Sequence, residues 1–230
     1  ADAAILAQDY LSALLARRAR CRPCRRLGSV PSACLWSTCT TPPSRMPPKR
    51  VKEAADATGC TSLHLLCYAG GGSEGAIVEL LAARANVNRS DRTGWTPLHY
   101  LCCSAVSPEG KCQAIETLVE AGASVSAKDR AGKTPLVDLC LNPCVTSDMM
   151  LALLRHGAEA NAPAKCGDVA LHSLCMNAEF PSAWPLLQFR ADVNALGRHG
   201  LAPLHVLCDT IGVGQARDGV ERLLELLDAR

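Results

Sequence analysis

Cysteine and histidine are the side chains of this chain with the most chemistry to offer: 14 Cys and 6 His occur in 230 residues. Thiolate and imidazole can ligate zinc, and a Cys–His pair can act as an activated nucleophile. The tightest thiol group is Cys21-x-x-Cys24 with Cys34 and Cys39, four sulfurs within 19 residues. Zinc ligation is one reading of this group. Unpaired cysteines are the other, favoured because the second pair has a wider spacing and no convincing scaffold surrounds it. The remaining Cys and His fall into a pattern. The phrase Thr61-Ser-Leu-His-Leu-Leu-Cys67 returns as Thr96-Pro-Leu-His-Tyr-Leu-Cys102 and Thr134-Pro-Leu-Val-Asp-Leu-Cys140. Looser copies are Val169-Ala-Leu-His-Ser-Leu-Cys175 and Ala202-Pro-Leu-His-Val-Leu-Cys208. Catalysis needs one unique pair, and a pair repeated down the chain is not that. There is also no phosphate loop, paired-carboxylate motif or H-E-x-x-H. No catalytic, cofactor-binding or metal residue is expected, and the chain is not read as an enzyme.

The copies begin 35, 38, 35 and 33 residues apart. A period of this size marks a stack of small supersecondary units rather than one closed core. Each unit opens on a turn: Asp56-Ala-Thr-Gly59, Asp91-Arg-Thr-Gly94, Asp129-Arg-Ala-Gly132, then Ala164-Lys-Cys-Gly167 and Gly197-Arg-His-Gly200. Asp first and Gly fourth suit a type I turn. Thr-Pro follows, where Thr can cap a helix and Pro costs no hydrogen bond in its first turn. Leu, Leu and Cys then share one helical face, with His and Cys kept as structural groups. A second helix ends in the pairs Leu80-Leu81, Leu118-Val119, Leu153-Leu154, Leu186-Leu187 and Leu226-Leu227. Its stop falls at Gly122 and Gly157, with Arg84, Arg190 and Arg230 in the same slot. From the repeated Cys to each pair the gap varies from 11 to 18 residues, so length differences fall between the two helices.

Composition agrees with short stacked helices. Aromatics are only 3%, so no large aromatic core is available. No apolar run approaches the ~20 residues of a membrane span, and no membrane contact is expected. Without a signal-peptide pattern at Ala1, a cytoplasmic or nuclear location is expected, with the repeated thiols reduced. Residues 1–50 carry a net charge of +7 and the remainder −5. The repeat body thus gives no electrostatic reason to expect nucleic acid.

These units resemble the ankyrin repeat, whose pattern is D-x-x-G-x-T-P-L-H, a helix, a loop, a second helix ending L-L-x-x-G-A, and D-V-N. Ala85-Asn-Val-Asn88 and Ala191-Asp-Val-Asn194 match that tail, and Ala123-Ser-Val-Ser126 and Ala158-Glu-Ala-Asn161 match it in part. The resemblance covers residues 54–230. It implies an all-α solenoid of helix–turn–helix units with projecting turn fingers and a concave face made from fingers and first helices. Five repeats are expected, at about 54–88, 89–126, 127–161, 162–194 and 195–230, the last truncated. Leu-Cys in place of the usual Ala-Ala, with enlarged inter-helix loops, resembles the ankyrin/F-box proteins of poxviruses, parapoxviruses in particular. That resemblance implies a host protein held on the concave surface, in the cytoplasm or nucleus of a host cell. It also implies a cullin-type ubiquitin ligase recruited through an F-box-like segment, which is not visible up to Arg230. A stand-alone scaffold or competitive inhibitor is the alternative. Ankyrin-like Asn88 and Asn194, each with Leu eight residues upstream, resemble substrates of the host asparaginyl hydroxylase.

Ahead of the repeats, residues 1–18 read as the second helix of a partial preceding unit. Residues 19–53 read as an irregular, basic, Cys/Pro-rich degenerate repeat, interrupted by Pro42-Pro43 and Pro47-Pro48. Within the clear repeats, Trp95 stands out, since Trp is enriched at binding hot spots. It occupies the variable position between turn Gly and Thr, shared with Cys60, Lys133, Asp168 and Leu201. Arg89, Arg92, Lys128, Arg130, Lys165, Arg198 and His199 give the finger tips a mostly basic edge, suited to an acidic partner. With Lys133 and Leu201 they complete the protein-binding candidates.

Overall fold

In the computed structural model the described residues are 55–70, 74–105, 110–177 and 183–210. The chain divides into two units, Ala1–Pro47 and Pro48–Arg230, and every described residue belongs to the second. The partial repeat at 1–18, the cysteine group at 21–39 and the closing pair Leu226-Leu227 lie outside the described residues.

Nine α-helices are described. First helices are α1 (Ser62–Tyr68), α3 (Pro97–Cys103), α5 (Pro135–Cys140), α7 (Ala170–Cys175) and α9 (Pro203–Thr210). Second helices are α2 (Glu74–Ala82), α4 (Lys111–Glu120), α6 (Ser147–Arg155) and α8 (Trp184–Gln188). Helices of 5 to 10 residues are marginal alone, so stacking must hold them. First helices pack in the order α1–α3–α5–α7–α9 and second helices in the order α2–α4–α6–α8. Among the described residues no helix is long and apolar enough to cross a membrane.

The repeated phrase builds the core. Leu63, Leu98, Leu136 and Leu171 are buried one per repeat, as are Cys67, Cys102, Cys140 and Cys175. These thiols are free, and burial pushes Cys67 up to about 12. Burial raises Cys102, Cys140 and Cys175 too, so they pack as small protonated side chains. Cys208 of the fifth unit is exposed. Ile77, Ile115, Leu118, Met149, Met150, Leu153 and Leu186 supply the core from the second helices.

Thr61 and Thr96 stand at the helix starts as the phrase suggests, each forming a reciprocal capping box with the histidine three residues on. Their hydroxyls also meet the Nδ1 of His64 and His99, both at 2.9 Å. At the helix stops, Arg84 and Arg190 both take φ 59°, joining Gly122 at 88° and Gly157 at 87°. A side chain in this left-handed conformation costs about 1–2 kcal/mol, which the stack tolerates twice.

A polar ladder at the ends of the first helices was not anticipated from sequence. Asn142 Nδ2 donates to the Cys102 carbonyl at 2.7 Å and to that of Ser104. Asn177 Nδ2 donates to Cys140 at 3.0 Å and Asn142 at 2.8 Å, and Thr210 Oγ1 to Cys175 at 2.9 Å. Each satisfies a last-turn carbonyl of the preceding repeat, a group the helix itself leaves orphaned. Lys111, only 1% exposed, adds its ammonium to the same Ser104 carbonyl. Burial lowers its pKa, while a helix C-terminus favours the cation there.

Candidate protein-binding surface

The surface is built from fingers bolted to first helices, and histidine is the bolt. His64 Nε2 meets the Trp95 carbonyl at 3.2 Å, His99 that of Lys133 at 3.2 Å, and His172 that of Leu201 at 2.9 Å. A carbonyl can only accept, so Nε2 carries the proton and Nδ1 is the acceptor. Nδ1 then receives the amide of Thr61 at 3.1 Å, Thr96 at 3.2 Å and Val169 at 3.2 Å. One imidazole thus fixes the start of its helix and the finger of the next repeat. In the third repeat Val137 replaces His, and Thr134 Oγ1 is buried with no hydrogen-bond partner as a result.

Protonation would put a hydrogen on Nδ1, facing an amide hydrogen. Burial lowers the pKa of His64 and His99. Unfolded His titrates near 6.5, so below that pH the unfolded chain binds more protons than the folded one. Stability should be level above about pH 7 and fall as pH drops below about 6.5. Urea midpoints at pH 7.5 and 5.5 check this; equal midpoints would contradict it.

The fingers form a ladder of their own. Each closes on its final Gly, as in Gly94 N to Asp91 O at 3.1 Å and Gly132 N to Asp129 O at 2.9 Å. Neighbouring fingers join through Arg92 N to Thr58 O at 3.0 Å, Arg130 N to Thr93 O at 3.0 Å and Lys165 N to Ala131 O at 2.9 Å. The fifth finger departs from this. Arg198 N bonds instead to Asp168 Oδ1 at 2.8 Å, and His199 takes φ 61°. Gly197 stands where the first three turns carry Asp, and a Cβ there would lie 2.5 Å from Asp168 Oδ1 and 2.7 Å from His172 Nε2.

Beside the second finger lies a cluster of aromatic rings. Trp95 meets Tyr100 edge to face at 5.3 Å between centroids and stacks on His99 at 6.1 Å. Tyr100 meets Tyr68 at 6.2 Å and His64 at 5.3 Å, both T-shaped. Trp95 Nε1 donates to Asp129 Oδ2 at 3.0 Å, and the Tyr100 hydroxyl to Asp91 Oδ2 at 2.9 Å. Cys60 Sγ lies 3.1 Å from the same hydroxyl. Burial first, then Cys60 and Asp91, push the Tyr100 phenol upward, so it remains a donor. The open side of the cluster is Tyr68, 41% exposed, next to Leu65, 50% exposed.

Of the residues expected at the interface, Arg92, Lys128, Arg130, Lys165, Arg198 and His199 are exposed. Trp95, Arg89, Lys133 and Leu201 are half-buried. Trp95 is therefore an anchor between two fingers as well as a surface group. Burial lowers the pKa of Lys133, opposed by the nearby carboxylates of Asp138 and Asp168. Tyr68 and Tyr100 were missed by sequence reading. Tyr100 follows the repeated His, at a position that varies from copy to copy, and that variation was the available signal.

Asn88 reaches across to the next repeat, donating to the Gly122 carbonyl at 2.8 Å and accepting the Ser124 amide at 2.7 Å. Asn161 does the same to the Arg190 carbonyl at 2.8 Å and the Asp192 amide at 2.7 Å. Asn194 makes a different contact: its backbone N–H donates to Asp192 Oδ1 at 2.9 Å. Among the described residues, no group of His, Cys, Asp and Glu is arranged to hold a metal ion.

With this geometry in view, the family comparison is specific. Residues 46–129 match the family model described as ankyrin repeats (3 copies). Fingers and stacked helices continue beyond that match, the histidine bolt returns at His172, and the fold is an ankyrin-repeat solenoid. Ankyrin repeats are generic protein–protein interaction modules, and proteins made from them are typically binding modules rather than enzymes. No curated protein matches the chain.

Proposed function

We propose that this chain captures a partner protein on its fingers and first helices, with Tyr68, Trp95 and Tyr100 as the contact centre. The observation that carries the reading is the aromatic cluster. A chain with only 3% aromatic residues brings two Tyr and one Trp together at the base of one finger and leaves Tyr68 open. Aromatic anchors dominate binding energy when a partner seals them from water. Bolts and ladder hold the surface in place, so little entropy is lost on docking.

The recurring Thr-Pro-Leu-His-x-Leu-Cys supports a finer reading, a poxvirus-like adaptor acting in host cytoplasm or nucleus. It would hold a host protein for a cullin-type ubiquitin ligase recruited elsewhere in the protein. Asn88 and Asn194 are its candidate hydroxylation sites. At Asn88 the side-chain amide bonds to Gly122 and Ser124, so modification there requires local opening.

Affinity capture from host-cell lysate with quantitative mass spectrometry tests both levels. Tyr68→Ala is the probe, since this side chain is exposed and its loss should leave the unfolding midpoint unchanged. A host protein enriched by the wild type and reduced about tenfold by Tyr68→Ala is the expected result. Ligase subunits accompanying that protein favour the adaptor; their absence makes the chain a competitive binder. If no captured protein depends on Tyr68, the aromatic surface is not the site.

A further inference from the structure

Two of the histidine bolts are also members of the aromatic cluster. His64 meets Tyr100 edge to face at 5.3 Å, and His99 stacks on Trp95 at 6.1 Å with 26° between the ring planes. Both histidines are fully buried. His64 Nε2 holds the Trp95 carbonyl at 3.2 Å, and His99 Nε2 holds the Lys133 carbonyl at 3.2 Å. Trp95 thus has its carbonyl held by one imidazole and its indole stacked on the next.

Neither imidazole has a nitrogen to spare. With Nε2–H donating, Nδ1 accepts the amide of Thr61 at 3.1 Å or of Thr96 at 3.2 Å. A second proton can enter only at Nδ1. The threonine hydroxyl, 2.9 Å away in both repeats, can turn to accept that proton. The amide N–H then faces an N–H and loses its acceptor, which a buried donor tolerates poorly. Burial lowers the pKa of both rings. The Trp95 carbonyl and Asp91 oppose this at His64, and the Lys133 carbonyl, Asp129 and Asp91 oppose it at His99. Arg89 adds to the lowering at His64.

The third repeat supplies the contrast. Val137 stands in the histidine position, so no imidazole bolts that helix to the fourth finger. Lys165 N still donates to the Ala131 carbonyl at 2.9 Å, joining the third and fourth fingers through backbone alone.

We infer that the aromatic contact centre is acid-gated: protonation of His64 and His99 unbolts the second and third fingers, displaces Trp95 and Tyr100, and releases the partner held there. This rests on the protein-binding reading and gives that site a regulation. The surface is complete at neutral pH. An unbolted His titrates near 6.5 and the bolted rings lower, so the gate opens as pH falls below about 6.5. Each histidine can raise the open population by up to about tenfold per pH unit over that range.

Hydrogen exchange of the full chain at pH 7.5 and 5.5, corrected for intrinsic exchange, tests the gate. Protection at the Thr61 and Thr96 amides is expected to fall about tenfold, and at the Lys165 amide by less than about twofold. A His99→Val variant, copying the third repeat, should show low and pH-independent protection at Thr96 while Thr61 stays pH-dependent. Unchanged protection at Thr61 and Thr96 would overturn the gate. An equal fall at Lys165 would overturn it too, since the whole stack would then be unfolding. A captured protein that depends on Tyr68 should elute at pH 5.5; its retention there would overturn the gate and leave the binding module standing. If no captured protein depends on Tyr68, the binding reading falls by itself and the exchange comparison alone decides the switch.

Discussion

Gly132→Ala is expected to lower the unfolding free energy by about 2–4 kcal/mol, against about 1–2 kcal/mol for Gly157→Ala. Both glycines hold left-handed backbone, at φ 76° and 87°. A methyl group at Gly157 would meet nothing within 4 Å, so only conformational strain is added. Arg84 and Arg190 show that a side chain is accommodated at this kind of helix stop. At Gly132 the new Cβ would sit 2.9 Å from the Lys165 amide nitrogen and 3.1 Å from its Cγ. That nitrogen donates to the Ala131 carbonyl, so relief of the clash must pull the third and fourth fingers apart. Stability in a solenoid is close to a sum over repeats and their interfaces. The loss should therefore appear at one junction, as faster hydrogen exchange at Lys165, alongside the lower urea midpoint. Equal losses for the two variants would show that the inter-finger contact contributes nothing.

Asn177→Asp is the second large effect, about 3 kcal/mol at neutral pH and more than for Asn177→Ala. The amide of Asn177 is buried and donates to two carbonyls, those of Cys140 and Asn142. Aspartate keeps the shape and replaces the donor with charged acceptor oxygens. It therefore faces two carbonyl dipoles without a proton to offer, in a site where desolvation already penalises charge. Alanine leaves the same carbonyls orphaned but adds no repulsion. The aspartate should titrate above an unfolded Asp, so its deficit relative to wild type should shrink as pH falls through that raised pKa. Urea denaturation of wild type and variant at matched pH values gives the comparison. A deficit that grows on acidification would contradict the assignment.

Both sites show how differently the levels of this protein can be read from the chain. The ankyrin fold was legible because one period repeats. Thr-Pro-Leu-His-x-Leu-Cys, with a turn before it and an apolar pair after it, carries local and nearest-neighbour instructions in every copy. The histidines read as structural for the same reason, and His64, His99 and His172 do bridge neighbouring units. The helix stops at Arg84 and Arg190 could be anticipated by alignment with Gly122 and Gly157.

Other features were hidden by treating each copy separately. Ser104, Asn142, Asn177 and Thr210 stand two places beyond the repeated Cys. All are polar, yet the column acquires meaning only when one repeat's amide meets the previous repeat's carbonyls. Lys111 looks like an ordinary surface cation in sequence. It is buried at the start of α4, with its ammonium on the Ser104 carbonyl. Gly197 looks like a weakened turn until Asp168, from the preceding repeat, is seen in the space a side chain would need.

By itself, then, the sequence determined the unit, its period and its basic tips, because these follow from short-range patterns of turn, cap and apolar spacing. Only the tertiary structure decided which groups remain open to a partner. Stacking brings Trp95 onto Asp129, thirty-four positions away, and Tyr100 onto Asp91, while Tyr68 stays open at 41% exposure. Exposure of this kind is a property of neighbouring repeats in contact, which no single copy of the phrase encodes.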